Sequence, residues 1–420
     1  TVLLEQRQEK TRKHHAPGRT MKRVTQQWAG QGQGGRAGSF GNEATPPMDA
    51  YGLAWKDFGV HGAMGDGARR RPGSIFGVLL CGYYGEHNLG DDALLATLLA
   101  LLPPSCRVVA TARDQHQVRE QFGVATCPRG EPVRLLLALM RVQVLVLGGG
   151  SLLQDSTSRR SLLYYVALIL AARLLGRTVL LWGQGLGPLN ARTSRFLARL
   201  SLQLVQGITW RDEPSAAMAA AWGIHAPVGR DPVWSLPRRN ANSVDGPPAG
   251  AVCLCWRPTP LLSAAGWRQL ENQVIEDAKR HQAPVCLVPF HVRQDAALLQ
   301  GCADRLQAVG LTCRLWRPRT PWHFMDGLAS VGLVVAMRLH AVILAAMADR
   351  PLLALCYDPK VNAAATAMAV PSIDLADPDG LAALPAAWEQ ARRWRRSPAR
   401  LAQHLQRNRC HQELLATVSR

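Results

Sequence analysis

From residue 74 onward, short apolar runs alternate with helix-length stretches along almost the whole chain. This alternation is the strongest constraint on the fold. Residues 75–81, 107–112, 143–147, 178–182 and 207–210 are too short for helices and end in glycine or polar groups, so they read as strands. Helical stretches at residues 162–175 and 194–205 lie between them. A second set follows: strands at 251–256, 284–289, 311–316, 331–337, 351–357 and 372–375, with helices at 263–282, 296–308 and 321–329. Strands spaced by helices imply crossover connections and parallel sheets. The expected fold class is therefore α/β, two Rossmann-like doubly wound domains facing a cleft. The expected segments are a disordered basic arm at 1–73, an N-terminal domain at 74–234, a linker at 235–250 (SLPRRNANSVDGPPAG), a C-terminal domain at 251–380 and basic helices at 381–420.

Charge is the second constraint. The net charge of +19 over 420 residues predicts attraction to polyanions or anionic surfaces. Residues 1–73 hold twelve Lys and Arg against six Asp and Glu, and residues 381–420 hold eight arginines against two glutamates. These blocks are not a stripe interleaved with aromatics, so no specific nucleic-acid partner is expected. Basic ends suit contact with an anionic membrane. Trp388 and Trp394 are expected to pack the C-terminal segment back on the first domain. No apolar run reaches the ~18 residues of a membrane span. The ten cysteines form no CxxC; Cys253 and Cys255 share a strand face and read as buried thiols, which suits a reducing cytoplasm. No cluster of metal ligands is apparent, so no metal is expected.

The chemistry gathers at strand ends, where open α/β sheets bind ligands. The run 331–337 leads to Arg338 and His340, and the run 351–357 leads to Asp358, Pro359 and Lys360. Arginine grips a carboxylate or phosphate with two parallel bonds, lysine offers a compact point charge, and histidine carries a proton near neutral pH. Arg338 and His340 alternate, as residues on one strand face do. After residue 73 the only lysines are Lys279 and Lys360. Together these groups describe a pocket for a small, doubly charged anion beside a proton donor. In GYYGEHNLGDDALL, Asp91 and Asp92 suit the first turn of a helix, and the glycine loop either binds phosphate or makes a capped turn. Neither GxGxxG nor GxxxxGK[ST] is present. Gly148, Gly149 and Gly150 read as a strand-end loop whose bare backbone a ligand can approach. Gln154 and Asp155 follow, suited to sugar hydroxyls. Arg211 either binds an anion or pairs with Asp212 or Glu213. Asp231 is either a base or the cap of the next turn.

Taken in order, GYYGEHNLGDDALL, GGGSLLQDSTSRRSLLYY, WGQGLGP, WRDEPS, GRDPVW and MRLHAVILAA…YDPKV resemble the polysaccharide pyruvyl transferase family, its CsaB-type bacterial branch in particular. The resemblance implies a GT-B-like fold, with residues 74–234 on the acceptor side and 251–380 on the donor side. It implies phosphoenolpyruvate as co-substrate and no cofactor. Pyruvate would be joined as a ketal to two hydroxyls of a sugar in a cell-wall or cell-surface polysaccharide, with phosphate released. It ties Arg211, Arg338, Leu339, His340 and Lys360 to the donor. The expected roles are His340 as general acid, Arg338 and Arg211 on carboxylate and phosphate, and Lys360 on the leaving phosphate. Asp91, Asp92, Gly149, Gly150, Gln154 and Asp155 are the candidate acceptor contacts. The acceptor is a saccharide, often lipid-linked in the family, so the expected location is the cytoplasm at the inner face of the cell membrane. The alternative is a GT-B glycosyltransferase using a nucleotide sugar, with Trp256, Trp316 or Trp322 stacking on the base. A third reading is a sugar-binding scaffold without activity.

Overall fold

The computed structural model describes residues 76–156, 158–239 and 245–419; the expected arm at 1–73 and part of the expected linker lie outside them. Among the described residues, twelve strands form two parallel six-stranded sheets. The first combines β1 (Phe76–Cys81), β2 (Cys106–Ala112), β3 (Ala125–Pro128), β4 (Val144–Leu153), β5 (Thr178–Leu186) and β6 (Gly207–Trp210), in the order β3-β2-β1-β4-β5-β6. The second combines β7 (Val252–Cys255), β8 (Val285–Leu287), β9 (Cys313–Leu315), β10 (Leu333–Ala336), β11 (Leu352–Cys356) and β12 (Ser372–Asp374), in the order β12-β11-β10-β7-β8-β9. Among the described residues, neighbouring strands of each sheet pair in parallel, for example Leu79 with Val109 and Val335 with Leu254. Apolar residues such as Leu79, Leu254, Val335 and Leu353 are fully buried, as central strands covered by helices on both faces require.

The crossover helices follow from the sequence. In the first lobe they are α1 (Leu89–Leu101), α2 (Gln115–Phe122), α3 (Pro132–Met140), α4 (Arg159–Leu174), α5 (Arg192–Gln203) and α6 (Glu213–Ala220). In the second they are α7 (Ala264–His281), α8 (Val292–Ala308), α9 (Pro321–Gly327), α10 (Leu339–Met347) and α11 (Pro359–Met368). Side chains at several N-termini satisfy backbone donors that lack a helical partner. The Asn88 side chain accepts from the Gly90 N–H, that of Asp212 from Ser215, and that of Asp358 from Lys360. Because these caps open the helices that follow β1, β6 and β11, they bring the following side chains to the carboxyl edges of both sheets.

Two expectations change. The triple glycine is not where its strand stops: β4 runs through Gly148, Gly149 and Gly150 to Leu153, paired with β5. Close packing of α1 demands glycine there. A Cβ on Gly148 would lie 2.3 Å from the Tyr84 hydroxyl, and one on Gly149 would lie 2.7 Å from Leu94 Cδ2. Trp388 and Trp394 pack in the second lobe, not the first; Trp388 joins the core around Leu254 and Leu353, and Trp394 donates to the Ala369 carbonyl. The chain does cross back, through α13 (Pro398–Arg407) and α14 (Arg409–Ala416), which follow α12 (Leu384–Arg393). There Trp182 Nε1 donates to the His411 carbonyl at 3.2 Å, Asn408 Oδ1 accepts from the Arg230 N–H at 2.7 Å, and Leu415 enters the first core.

Candidate active site

The carboxyl edges of the two sheets face each other, and side chains from both lobes meet between them. Arg211 follows β6 and is almost fully buried, its side chain 7% exposed. Its Nη2 donates to Ser151 Oγ at 2.9 Å, and its Nη1 lies 3.6 Å from Asp231 Oδ2. Lys360, in the first turn of α11, donates from Nζ to the same Ser151 oxygen at 3.1 Å. Two cations from different lobes therefore share one hydroxyl. Burial, then the Arg211 cation, push the Lys360 pKa below its ordinary value, against the pull of Asp358, Asp212 and Asp231.

Asp231 ties this group to the imidazole. Its Oδ1 caps the turn at Pro232–Ser235 by accepting from the Val233 N–H at 3.1 Å, so it is a cap. Its Oδ2 lies 3.4 Å from His340 Nε2. Burial alone would raise the Asp231 pKa, but His340 and then Arg211 outweigh it and hold the carboxyl at about 2. The ring of His340 lies against the start of α1 at Asn88–Gly90: a Cβ on Gly90 would stand 2.3 Å from Nδ1, so glycine is required there.

Arg338 does not share a face with His340. It is the N-cap of α10, and its side chain turns toward α8. Nε and Nη2 form a fork on the buried carboxylate of Asp295, and Nη2 also donates to Gln294 Oε1 at 3.0 Å. The bidentate grip expected for a ligand is thus taken by Asp295. Nη1 carries no hydrogen bond among the described residues, and Arg338 still lines the cavity.

That cavity holds about 190 Å³ and is bounded by Asn88, Gly90, Phe290, Arg338, Leu339, His340 and Lys360, among others. At ~30 Å³ per water it has space for about six waters, or for one small anion. A larger, more apolar cavity of about 440 Å³ adjoins it through Leu339, Asp358 and Lys360, and is lined by Ser151, Leu186, Pro188, Arg211, Asp231 and Trp234.

The five residues expected at the donor, Arg211, Arg338, Leu339, His340 and Lys360, all border one or both cavities. Those expected at the acceptor do not line either. Gly149 and Gly150 lie beneath Leu94 of α1. Asp155 clasps the backbone N–H groups of Ala191 and Asn190, at 2.9 and 2.8 Å, which hold its pKa down at about 2. Gln154 accepts from Ser156 at 2.5 Å. Asp92 is buried against Gln117 and borders a separate cavity. Asp91 accepts from Asn88 at 2.5 Å, and burial, eased by His340, raises its pKa to about 6. Sequence reasoning missed three contributors: Ser151, Asn88 and the Arg338 partner Asp295. Trp256, Trp316 and Trp322, one of which the glycosyltransferase alternative would stack on a nucleotide base, are all core residues. Among the described residues no group of three His, Cys, Asp or Glu side chains could hold a metal, and no helix is long and apolar enough to cross a membrane.

The sequence profile of the family described as polysaccharide pyruvyl transferase matches residues 88–359. The chain belongs to that family. Its fold recurs in solved structures of low identity. UDP-GlcNAc 2-epimerase from Methanocaldococcus jannaschii superposes with a TM-score of 0.53 at 12% identity, covering 77% of this chain and 94% of that one. UDP-N-acetylglucosamine 2-epimerase from Rickettsia bellii gives 0.52 at 7% identity, over 82% and 96%. The S. aureus MnaA–UDP structure gives 0.52 at 10% identity, over 76% and 91%. These likenesses show the two-lobed GT-B fold in a pyruvyl transferase sequence, and the fold alone. A search of curated proteins finds no match.

Proposed function

We propose that this family member transfers the pyruvyl group of phosphoenolpyruvate to two hydroxyls of one sugar in a cell-wall or cell-surface polysaccharide, as in the CsaB-type branch. The observation that carries the reading is the meeting of Arg211 and Lys360, from opposite lobes, on the Ser151 hydroxyl. A phosphate oxygen entering the cavity would take the place of that hydroxyl and accept from both cations. Fixed charge of this kind acts most strongly on charge that develops at a leaving group.

In the proposed reaction one acceptor hydroxyl attacks C2 while C3 gains a proton from His340. Phosphate departs with the electrons of the C2–O bond, and the second hydroxyl captures the cationic centre. Of the two hydroxyl protons, one replaces that spent on C3 and one leaves on phosphate, so atoms and charge balance. Asp231 orients the His340 ring through Nε2, which leaves Nδ1 as the nitrogen to exchange protons on the Asn88–Gly90 side. Arg338, held by Asp295, would offer Nη1 to the carboxylate. No cofactor enters this scheme. The acceptor is read as a saccharide, lipid-linked in the favoured case, and the enzyme as cytoplasmic with peripheral contact to an anionic membrane.

The test is phosphate release from phosphoenolpyruvate in the presence of candidate saccharides, with the ketal identified by mass and NMR. Parallel titration with UDP and UDP-sugars addresses the glycosyltransferase alternative. Turnover of a UDP-sugar with no release from phosphoenolpyruvate would overturn the proposal.

A further inference from the structure

The outer face of the first lobe combines exposed apolar side chains with an excess of positive charge. On α4 the residues Leu163, Leu170 and Leu174 are 52%, 38% and 87% exposed, and on the neighbouring α5 Phe196 and Leu200 are 65% and 38% exposed. On α4 they recur at the spacing of one helix face, with Arg160 at its start. Arg192, Arg195 and Arg199 are exposed on α5 beside Phe196 and Leu200. The chain has no aspartate or glutamate between Asp155 and Asp212. Monomeric surfaces seldom gather large apolar side chains without a partner, and a basic helix face with Leu and Phe is the pattern of interfacial membrane binding.

We propose that α4 and α5 form the surface by which this protein docks on an anionic lipid bilayer. A second copy is the poorer occupant, because symmetric pairing would set arginine against arginine with no carboxylate from either helix. The chain's own residues 1–73 are poorer too, since they are themselves net basic, twelve Lys and Arg against six Asp and Glu. Anionic headgroups supply the missing charge and acyl chains the missing apolar cover. The face also borders the chemistry. Leu186 at the end of β5, with Gly187 and Pro188 in the segment joining β5 to α5, lines the larger apolar cavity beside Arg211 and Lys360. Docking through α5 would therefore bring that cavity toward the bilayer. The placement deepens the membrane contact of the proposed function but does not depend on the pyruvyl transfer reaction.

The experiment is co-sedimentation of the full chain with vesicles of phosphatidylcholine alone or with added phosphatidylglycerol, beside light scattering to read its mass. Binding is expected only to the anionic vesicles, and 1 M salt should release it. The variants R160Q/R195Q/R199Q and L174S/F196S should each weaken binding by on the order of tenfold or more, with circular dichroism and melting unchanged. Unchanged binding in both variants would place the contact on the basic ends and overturn the proposal. So would equal binding to neutral vesicles, or a dimer abolished by L174S/F196S. Phosphate release with a water-soluble acceptor is measured without vesicles, so failure of the reaction reading is seen separately.

Discussion

His340 Nε2 lies 3.4 Å from Asp231 Oδ2, although the two residues belong to different lobes. Neither atom has a hydrogen-bond partner among the described residues, so the contact is electrostatic and open to adjustment. With its carboxyl held at about 2, Asp231 stays ionised over the working range and steadies the ring. His340→Ala is expected to lower kcat for phosphate release by ~10²–10⁴, the usual weight of a general acid. Asp231→Asn should give a smaller loss and shift the pH profile of kcat, because the ring loses the charge that orients it. Near-normal kcat in His340→Ala would remove the acid from the scheme.

Lys360 separates activity from stability. Its pKa is depressed by burial and by Arg211. The folded state therefore binds fewer protons than the unfolded chain between the depressed value and the ordinary lysine value, and stability rises with pH across that window. Below the window the fold carries the full cost of a buried ammonium. Lys360→Met is thus expected to raise Tm slightly at pH 7 while cutting phosphate release by on the order of 10²-fold or more, as loss of a fixed charge at the leaving group would. A lower Tm together with intact turnover would contradict both halves.

How much of this was legible follows from the range of each interaction. The two sheets are legible because alternation is local, Arg211 because it directly follows a strand, and Lys360 because it opens the helix after one. The four residues of β3, ending in Pro128, are too few and too mixed to register as a strand. The alternation of Arg338 and His340 suggests one strand face, but Arg338 caps a helix, and its fork on Asp295 joins residues 43 positions apart. Nothing local marks Ser151, because its importance comes from Arg211 and Lys360, 60 and 209 positions away. Glycine in a sequence suggests freedom for a ligand, whereas Gly148 and Gly149 make room for Tyr84 and Leu94.

Asp91 supplies a pH test of the helix start that contacts His340. Its pKa is raised from 3.8 to about 6, chiefly by burial. Between those values the folded state keeps a proton that the unfolded chain releases, so stability falls as pH rises from about 4 to about 6 and the cost is complete above that. Asp91→Asn keeps a partner for Asn88 and removes the titration. At pH 7 it should stabilise the protein by on the order of 1–2 kcal/mol, reduced for partial solvent access, from ~1.4 kcal/mol per pKa unit. At pH 4 the two proteins should melt alike. Urea unfolding at both pH values decides it, and an equal difference at pH 4 would assign the effect to something other than the carboxyl.

Asp295 carries the final prediction. It is fully buried, accepts from Arg338 Nε at 3.1 Å and from Nη2, and also accepts from the His291 N–H at 2.9 Å. His291 belongs to the short segment whose backbone joins the lobes, through Leu89 N–H to the Phe290 carbonyl at 2.8 Å and Val292 N–H to the His87 carbonyl at 3.1 Å. Asp295→Ala would strand a mostly buried guanidinium and loosen that junction, at a cost of ~3–5 kcal/mol for a broken buried pair. Arg338→Lys keeps a positive charge but loses the planar fork. Its KM for phosphoenolpyruvate should rise by about tenfold, a loss of ~1.4 kcal/mol, with a smaller fall in Tm than in Asp295→Ala. If Arg338→Lys instead left KM unchanged, Arg338 would be a structural partner of Asp295 and the substrate carboxylate would need another holder.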